Sequence, residues 1–189
     1  MDSGATVDTG AAEALRILLL DDDARAAAQL DAYLRGSPLR IDLQCISSEP
    51  ELRTSLAEFR PHLVLCEVAL RAFGAAEALR AVQQLSPTTP LILVSDDARA
   101  PQLLLSGATD FVRKSDLARL IPTIERALRE RAIADGKRAA ESQLTESRQW
   151  LRDIMDATQE WIWELDAHGV FTFSNRCVED LLGYPVEAI

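Results

Sequence analysis

Charged and hydroxyl side chains stand directly after short apolar runs in this sequence. Asp21, Asp22 and Asp23 follow Ile17–Leu20, and Glu67 follows Leu63–Cys66. Ser95 follows Leu91–Val94, and Lys114 comes just after Phe111–Val112. Singly, each is an ordinary polar residue at the end of an apolar stretch. Brought to one edge, Asp21, Asp22 and Glu67 would make an oxygen-rich cluster suited to Mg²⁺, bound weakly. Two carboxylates about 4 Å apart repel by roughly 4 kcal/mol at an effective dielectric of 20, so a cation, a proton or Lys114 must offset them. Asp23 reads instead as a helix N-terminal residue, where the dipole favours a carboxylate. Cys66 reads as a buried strand residue whose thiol nearby carboxylates push up, so redox work is not expected of it. His62 reads as a surface residue and His168 as part of a turn.

The elements that carry these residues alternate. From about Leu15 to Lys114, short apolar runs take turns with helical patterns, which argues for βαβ units and a parallel sheet. A fifth strand candidate, Leu39 to Cys45, alternates apolar and polar residues strictly. Central parallel strands are covered on both faces and read as continuous apolar runs, whereas edge strands tolerate polar positions. The first, third and fourth strands are therefore central, and the second and fifth are edges. Right-handed crossovers then give the order 2-1-3-4-5, a flavodoxin-like doubly wound α/β sheet. Its switch point lies between the first and third strands, so the acidic residues and Lys114 fall on the ligand-binding edge.

The helices have local signals. Ala24 to Arg35 carries Ala27, Leu30 and Leu34 at helical spacing, and Gly36 can end it. Ser48 and Glu51 have capping-box spacing before a face of Leu52, Leu56 and Phe59, and Pro61 stops that helix. A third helix presents Leu79, Val82 and Leu85. A fourth, about Arg99 to Ser106, is short. Ser115 is placed to cap a long helix over Asp116 to Thr158. Leu117, Ile121, Ile124 and Leu128 form one run on it, and Ala140, Leu144, Ser147, Leu151, Ile154 and Thr158 form another, out of phase. Two readings stay open: a continuous helix with a stutter, dimerising as a coiled coil, or two helices broken at Asp135-Gly136.

Composition sets limits. The 189 residues carry a formal charge of −10 and are 48% hydrophobic. No Lys/Arg cluster offers a surface for nucleic acid. No apolar run approaches the ~18 residues of a membrane span, and Met1 to Ala14 lacks the pattern of a secretory signal. Residues 1–14 read as a disordered tail. Three cysteines without close spacing fit a reducing cytoplasm rather than a disulfide framework or zinc site.

Over Arg16 to about Leu128, the chain resembles the response-regulator receiver domain. The pieces that carry the resemblance are Ile17 through Asp23, Pro61 through Glu67, Pro90 through Ser95, and Gly107 through Lys114. The resemblance implies Mg²⁺ at Asp21, Asp22 and Glu67, with the phospho-acceptor position at Glu67. It implies phosphoryl contacts from Ser95 and Lys114, and a switching aromatic at Phe111. A histidine kinase is the implied phosphoryl donor. Four residues depart from the pattern. Glu67 replaces the acceptor Asp, its extra methylene pushing the carboxylate out by about 1.5 Å, where a misplacement of about 1 Å disturbs in-line transfer; alternatively the longer carboxylate reaches Lys114 and Ser95 directly and mimics the phosphorylated state. Arg71 stands where the family usually has Pro, and Ser115 replaces the Pro that usually follows the Lys, so the family's cis peptide is not expected. Asp96 replaces a small residue, and with Asp97 it adds negative charge where a phosphoryl group would bring nearly two more.

From about Leu151 to Ile189 the chain resembles the start of a PAS domain. The matching residues are Trp161 to Asp166, Gly169-Val170-Phe171, Ser174-Asn175 and Leu182-Gly183-Tyr184-Pro185. A hairpin and one short helix are expected, with Trp161 and Trp163 as core residues. Too few residues follow the long helix for an independent core, so a truncated α+β segment is expected and no PAS ligand is named. The division is then a tail (1–14), a receiver-like domain (15–115), a linker helix that includes the domain's last helix (116–158), and a PAS start (159–189). The expected function is that of a cytoplasmic, non-enzymatic pseudo-receiver. It would form a homodimer through 116–158 and pass signals to PAS and to an output domain beyond Ile189, such as a diguanylate cyclase, phosphodiesterase or histidine kinase. The alternatives are a working acceptor that uses Asp21 or Asp22, and a purely structural dimerisation element.

Overall fold

A computed structural model of the chain describes residues 14–71, 73–158, 160–183 and 185–186. The expected tail therefore lies outside the described residues except for Ala14, as do Tyr184 and the last three residues of the PAS-like segment. The chain divides into an N-terminal unit up to Ile133 and a C-terminal unit from Ala134.

In the N-terminal unit, β1 (Leu15–Leu20), β2 (Ile41–Ile46), β3 (Leu63–Cys66), β4 (Leu91–Val94) and β5 (Asp110–Val112) form one sheet in the order β2-β1-β3-β4-β5, all parallel. The strands read as central are central, and those read as edges are edges. Side chains along each strand alternate between two cores. Leu18, Leu20, Val64, Cys66, Leu91 and Leu93 face α2 (Glu49–Glu58), α3 (Ala75–Leu85) and α4 (Ala100–Leu105). Ile17, Leu19, Leu63, Leu65, Ile92 and Val94 face α1 (Ala24–Arg35) and the start of α5 (Leu120–Ala157). Each fully buried Leu or Ile contributes roughly 1.5–3 kcal/mol, so this two-sided burial dominates the unit's stability. In α2, the Glu51 carboxylate accepts from the backbone N–H groups of Ser47 and Ser48, the half of a capping box that fixes the helix start.

Several expectations shift. Leu85 is half exposed and does not belong to the buried face of α3, which is formed by Ala75, Ala78, Leu79, Ala81 and Val82. β2 starts two residues later than Leu39, and its buried residue is Ile46 rather than Cys45. Ser115 caps no helix. Lys114–Arg119 is a 3₁₀ segment with Asp116 in a non-helical conformation, and the α-helix starts at Leu120 instead of Asp116. Leu120, Ile124 and Ala127 are buried against the sheet, with Leu117, Ile121 and Leu128 packed beside them. The first apolar run of the long helix is therefore used by the domain's own core and is not a seam for a second copy. α5 is continuous through Gly136, so the broken-helix reading does not hold.

In the C-terminal unit, β6 (Trp163–Leu165) and β7 (Phe171–Ser174) pair antiparallel, and α6 (Cys177–Leu182) follows. The Asp166 carboxylate accepts from the N–H groups of His168 and Val170, and Gly169 takes a φ of 82° that glycine adopts without strain, so the turn is set by residue type. Asn175 is buried. Its side-chain amide donates to the carbonyls of Met155 and Glu160 and its oxygen accepts from Ile162 N–H, tying the end of α5 to the hairpin. Trp161, Trp163 and Phe171 cluster with ring centroids 6.0–6.3 Å apart. Trp163 is half exposed, contrary to its reading as a core residue.

Candidate functional site

The C-terminal ends of β1, β3, β4 and β5 bring Asp21, Glu67, Ser95 and Lys114 into one cluster. Parallel strands aligned in register place their following residues on one edge, so the convergence follows from the topology. Asp21 and Glu67 are buried. The Lys114 ammonium donates to Asp21 Oδ2 at 3.0 Å and is paired with Glu67 Oε2. The Ser95 hydroxyl donates to Glu67 Oε1 and itself accepts from Asp97 N–H at 3.1 Å. Glu67 Oε1 also accepts from the backbone N–H groups of Val68 at 2.6 Å and Ala69 at 3.0 Å. Of the two readings of the extra methylene, the geometry fits the one in which Glu67 reaches Ser95 and Lys114 directly. The methylene lets the carboxylate fold back over its own strand end and reach two partners at once.

Electrostatics follow from this geometry. Burial acts to raise the Glu67 carboxyl, but the Lys114 ammonium and the Ser95 hydroxyl outweigh it and hold the carboxyl below its ordinary value. Burial acts to lower the Lys114 ammonium, but Glu67 and Asp21 outweigh it and hold the ammonium above its ordinary value. Burial, then Glu67 and Asp21, pushes the Cys66 thiol far up, which leaves it inert. Asp23 is the N-cap of α1: its carboxylate accepts from Arg25 and Ala26 N–H and is held below its ordinary value by them.

Asp22 is not part of the cluster's charge pairing. Its carboxylate accepts from the backbone N–H of Arg71 at 2.6 Å, a bond a proline there could not donate. Ser115 behaves in the same way. Its N–H and hydroxyl donate to Asp96 Oδ1 at 3.3 and 2.9 Å. Asp97 is ion-paired with Arg99 at 2.7 Å, and its carboxyl is lowered to about 2, first by that guanidinium. The negative charge expected of Asp96 and Asp97 is thus tied to partners. Phe111 is half-buried and lines a cavity of about 440 Å³ together with Ser95, Asp96, Asp97 and Ser115.

This arrangement does not fit the Mg²⁺ cluster expected at Asp21, Asp22 and Glu67. Lys114 stands between two of those carboxylates, the third is turned to Arg71, and the oxygens of Glu67 are committed to Ser95, Val68, Ala69 and Lys114. Among the described residues, no trio of His, Cys, Asp or Glu is placed to hold a metal ion. The backbone donors at Val68, Ala69 and Arg71 had no signal of their own in the sequence beyond the absence of proline.

Comparisons with known proteins bear on the N-terminal unit. No family model matches the chain. It is 30% identical over 128 residues to the transcriptional regulatory protein ZraR of Escherichia coli O157:H7, covering 66% of this chain and 29% of that protein. It is 33% identical over 102 residues to the DNA-binding response regulator MtrA of Mycobacterium leprae, covering 52% and 44%. The regulatory protein LuxO of Vibrio cholerae is 27% identical over 115 residues, covering 59% and 25%. The chain spans less than half the length of these curated relatives. Among solved structures, a CheY-like response regulator receiver domain protein from Methanospirillum hungatei superposes with a TM-score of 0.57 at 20% identity, covering 65% of this chain and 99% of that one. The response regulator domain of Thermotoga maritima CheB gives a TM-score of 0.54 at 21% identity, covering 62% and 98%. These structures share the fold. With the sequence relatives, they support a response-regulator receiver domain.

Replacing Lys114 with Met leaves two buried carboxylates facing each other and is expected to cost about 2 kcal/mol, less than a fully buried pair because Lys114 is partly exposed. Glu67 is held below its ordinary 4.5, so its contribution is complete above that pH and is lost as pH falls through the lowered value. Lys114 is held above its ordinary 10.5, so its contribution is complete below that pH and is lost as pH rises through the raised value. Urea melts of parent and Lys114→Met across pH measure the difference. It is expected to be constant between those limits and to shrink outside them, and a difference that persists unchanged in acid contradicts the pairing.

Proposed function

We propose that this chain is a regulatory, non-enzymatic input module of a bacterial two-component-type signalling protein: a pseudo-receiver that takes no phosphoryl group at Glu67. The observation that carries this reading is the Lys114 ammonium held between Asp21 and Glu67, with the Ser95 hydroxyl on Glu67. The groups that would meet a phosphoryl group are engaged by the chain's own carboxylate. Glu67 stands in for the modified acceptor with one charge where a phosphoryl group carries nearly two, and it holds the domain in one conformation without Mg²⁺. Receiver domains are generally non-enzymatic signalling modules that commonly bind Mg²⁺ at the phosphorylation site, which makes this site's departure informative. A phospho-acceptor at Asp21 or Asp22 is not favoured, because Lys114 holds the first and the Arg71 N–H holds the second.

The signal passes along α5 to a PAS domain that starts near residue 159 and to an output partner, on the same polypeptide or another, within the cytoplasm. Switching comes from these partners rather than from a histidine kinase. MtrA is named a DNA-binding response regulator; the −10 charge of this chain weighs against direct DNA contact by these residues. Among the described residues, no helix is long and apolar enough to cross a membrane. A homodimer forms through the second apolar run of α5. Leu144, Leu151 and Ile154 keep heptad spacing and remain about half exposed.

Two outcomes are expected. In light scattering, Leu144→Asp combined with Leu151→Asp shifts the mass from dimer to monomer; a monomeric parent contradicts the seam. After incubation with acetyl phosphate and Mg²⁺, intact-mass spectrometry finds no phosphoryl adduct on the parent, only partial uptake by Glu67→Asp, and more when Arg71→Pro is added to release Asp22. An adduct on the parent contradicts the pseudo-receiver.

A further inference from the structure

β2 stands at one edge of the sheet and pairs only with β1. The N–H of Leu15 donates to the Arg40 carbonyl and that of Asp21 to the Ile46 carbonyl, so the even-numbered residues of β2 turn their backbone groups toward β1. Alternation along the strand then aims the N–H and C=O of Ile41, Leu43 and Cys45 outward. Among the described residues, none bonds to these outward groups. Edge strands are ordinarily blunted by lysine, proline or a bulge. β2 has none of the three, and its six residues keep an unbroken register with β1. The opposite edge strand, β5, is only three residues long.

The side chains along this edge complement themselves. Leu39, Ile41 and Leu43 are partly buried on the face shared with α1 and α5. Arg40 and Asp42 lie on the other face and are exposed, and neither has a hydrogen bond or ion pair in the chain. A second copy laid antiparallel along the edge, with its two-fold axis at Ile41, sets Ile41 opposite its own counterpart and Leu39 opposite Leu43. The same register sets Arg40 opposite Asp42 twice, once on each side of the axis. Outward-facing residues meet outward-facing residues, so the backbone bonds close. Other registers are poorer. An axis at Arg40 or Asp42 sets like charges directly opposite, and one at Leu43 sets Asp42 against Gln44. An axis between residues sets outward groups against inward ones.

We propose that the β2 edge is a self-association surface whose occupant is β2 of a second copy of this chain, antiparallel and in the register centred on Ile41. The interface is isologous, so one surface serves both copies. It continues each sheet into the other and pairs two arginines with two carboxylates that have no partner within the chain. The contact is separate from the α5 seam and from the Glu67 cluster and rests on neither. A strand pair this short buries less than the ~1,200 Å² of a stable interface, so it fills at protein concentrations above those that populate the seam.

The test uses the full chain carrying Leu144→Asp and Leu151→Asp, which removes the α5 seam. It reads sedimentation equilibrium up to millimolar protein together with backbone amide hydrogen exchange. Dimers are expected to form as concentration rises. The N–H groups of Ile41 and Leu43 gain protection with them, while those of Asp42 and Gln44 are protected throughout. Arg40→Asp and Asp42→Arg, added separately, each weaken association about tenfold or more, because like charges then face each other in both pairs. An equimolar mixture of the two variants regains the association, because opposite charges face again. Both positions are exposed and unpaired, so the melting temperature stays unchanged. Absence of association at millimolar protein overturns the proposal, as does association that neither charge reversal weakens or that the mixture fails to regain. Protection of Ile41 and Leu43 that does not rise with concentration would show the edge covered by the chain's own segment, and overturns it as well.

Discussion

The Lys114 ammonium, held between two buried carboxylates, is the constraint on which the acidic edge of this domain depends. Asp21 and Glu67 are brought together by β1 and β3, which pair directly in the sheet. Left alone, their charges would repel by several kcal/mol in a site this poorly solvated. Lys114 arrives from the far side of the sheet, after β5, and donates to both. The apolar packing of five parallel strands thus assembles an electrostatic problem, and the same topology delivers its solution. Because this counter-charge belongs to the chain, part of the repulsion at the edge is offset from within.

The departures from the receiver pattern also act together. Glu67 is long enough to reach Ser95 and Lys114. Arg71 has the N–H that turns Asp22 away from the cluster, and Ser115 has the N–H and hydroxyl that occupy Asp96. Proline at either of the last two positions would leave a carboxylate seeking another partner. Glu67 thus takes the Ser95 and Lys114 donors, and Asp22 and Asp96 take donors from Arg71 and Ser115, positions where proline would have no N–H to give. That pairing contributes to how so acidic an edge stays folded.

The sheet was legible in the sequence because burial on both faces writes itself as uninterrupted apolar runs, and Ile17–Leu20, Leu63–Cys66 and Leu91–Val94 are such runs. Convergence of Asp21, Glu67, Ser95 and Lys114 followed from strand order alone. That Glu67 could reach Ser95 and Lys114 was open from its length, but its backbone donors at Val68 and Ala69 were not, since length fixes how far a carboxylate can reach and not where it finds donors. The start of α5 was misread because Ser115 has the right chemistry for a cap but gives it to Asp96. The run Leu117, Ile121, Ile124 and Leu128 has a period equally suited to a second copy and to the domain's own sheet, and only tertiary packing decides between them.

The central claim is that Lys114 serves as the resident cation of the acidic edge. The most direct measurement is NMR observation of the ¹⁵N-labelled Lys114 side-chain ammonium in the full chain as Mg²⁺ is added. A slowly exchanging ammonium signal that keeps its position and protection through millimolar Mg²⁺ is the expected result. An ammonium signal that shifts or exchanges away saturably with Mg²⁺ would show that the metal displaces Lys114, and would contradict the account.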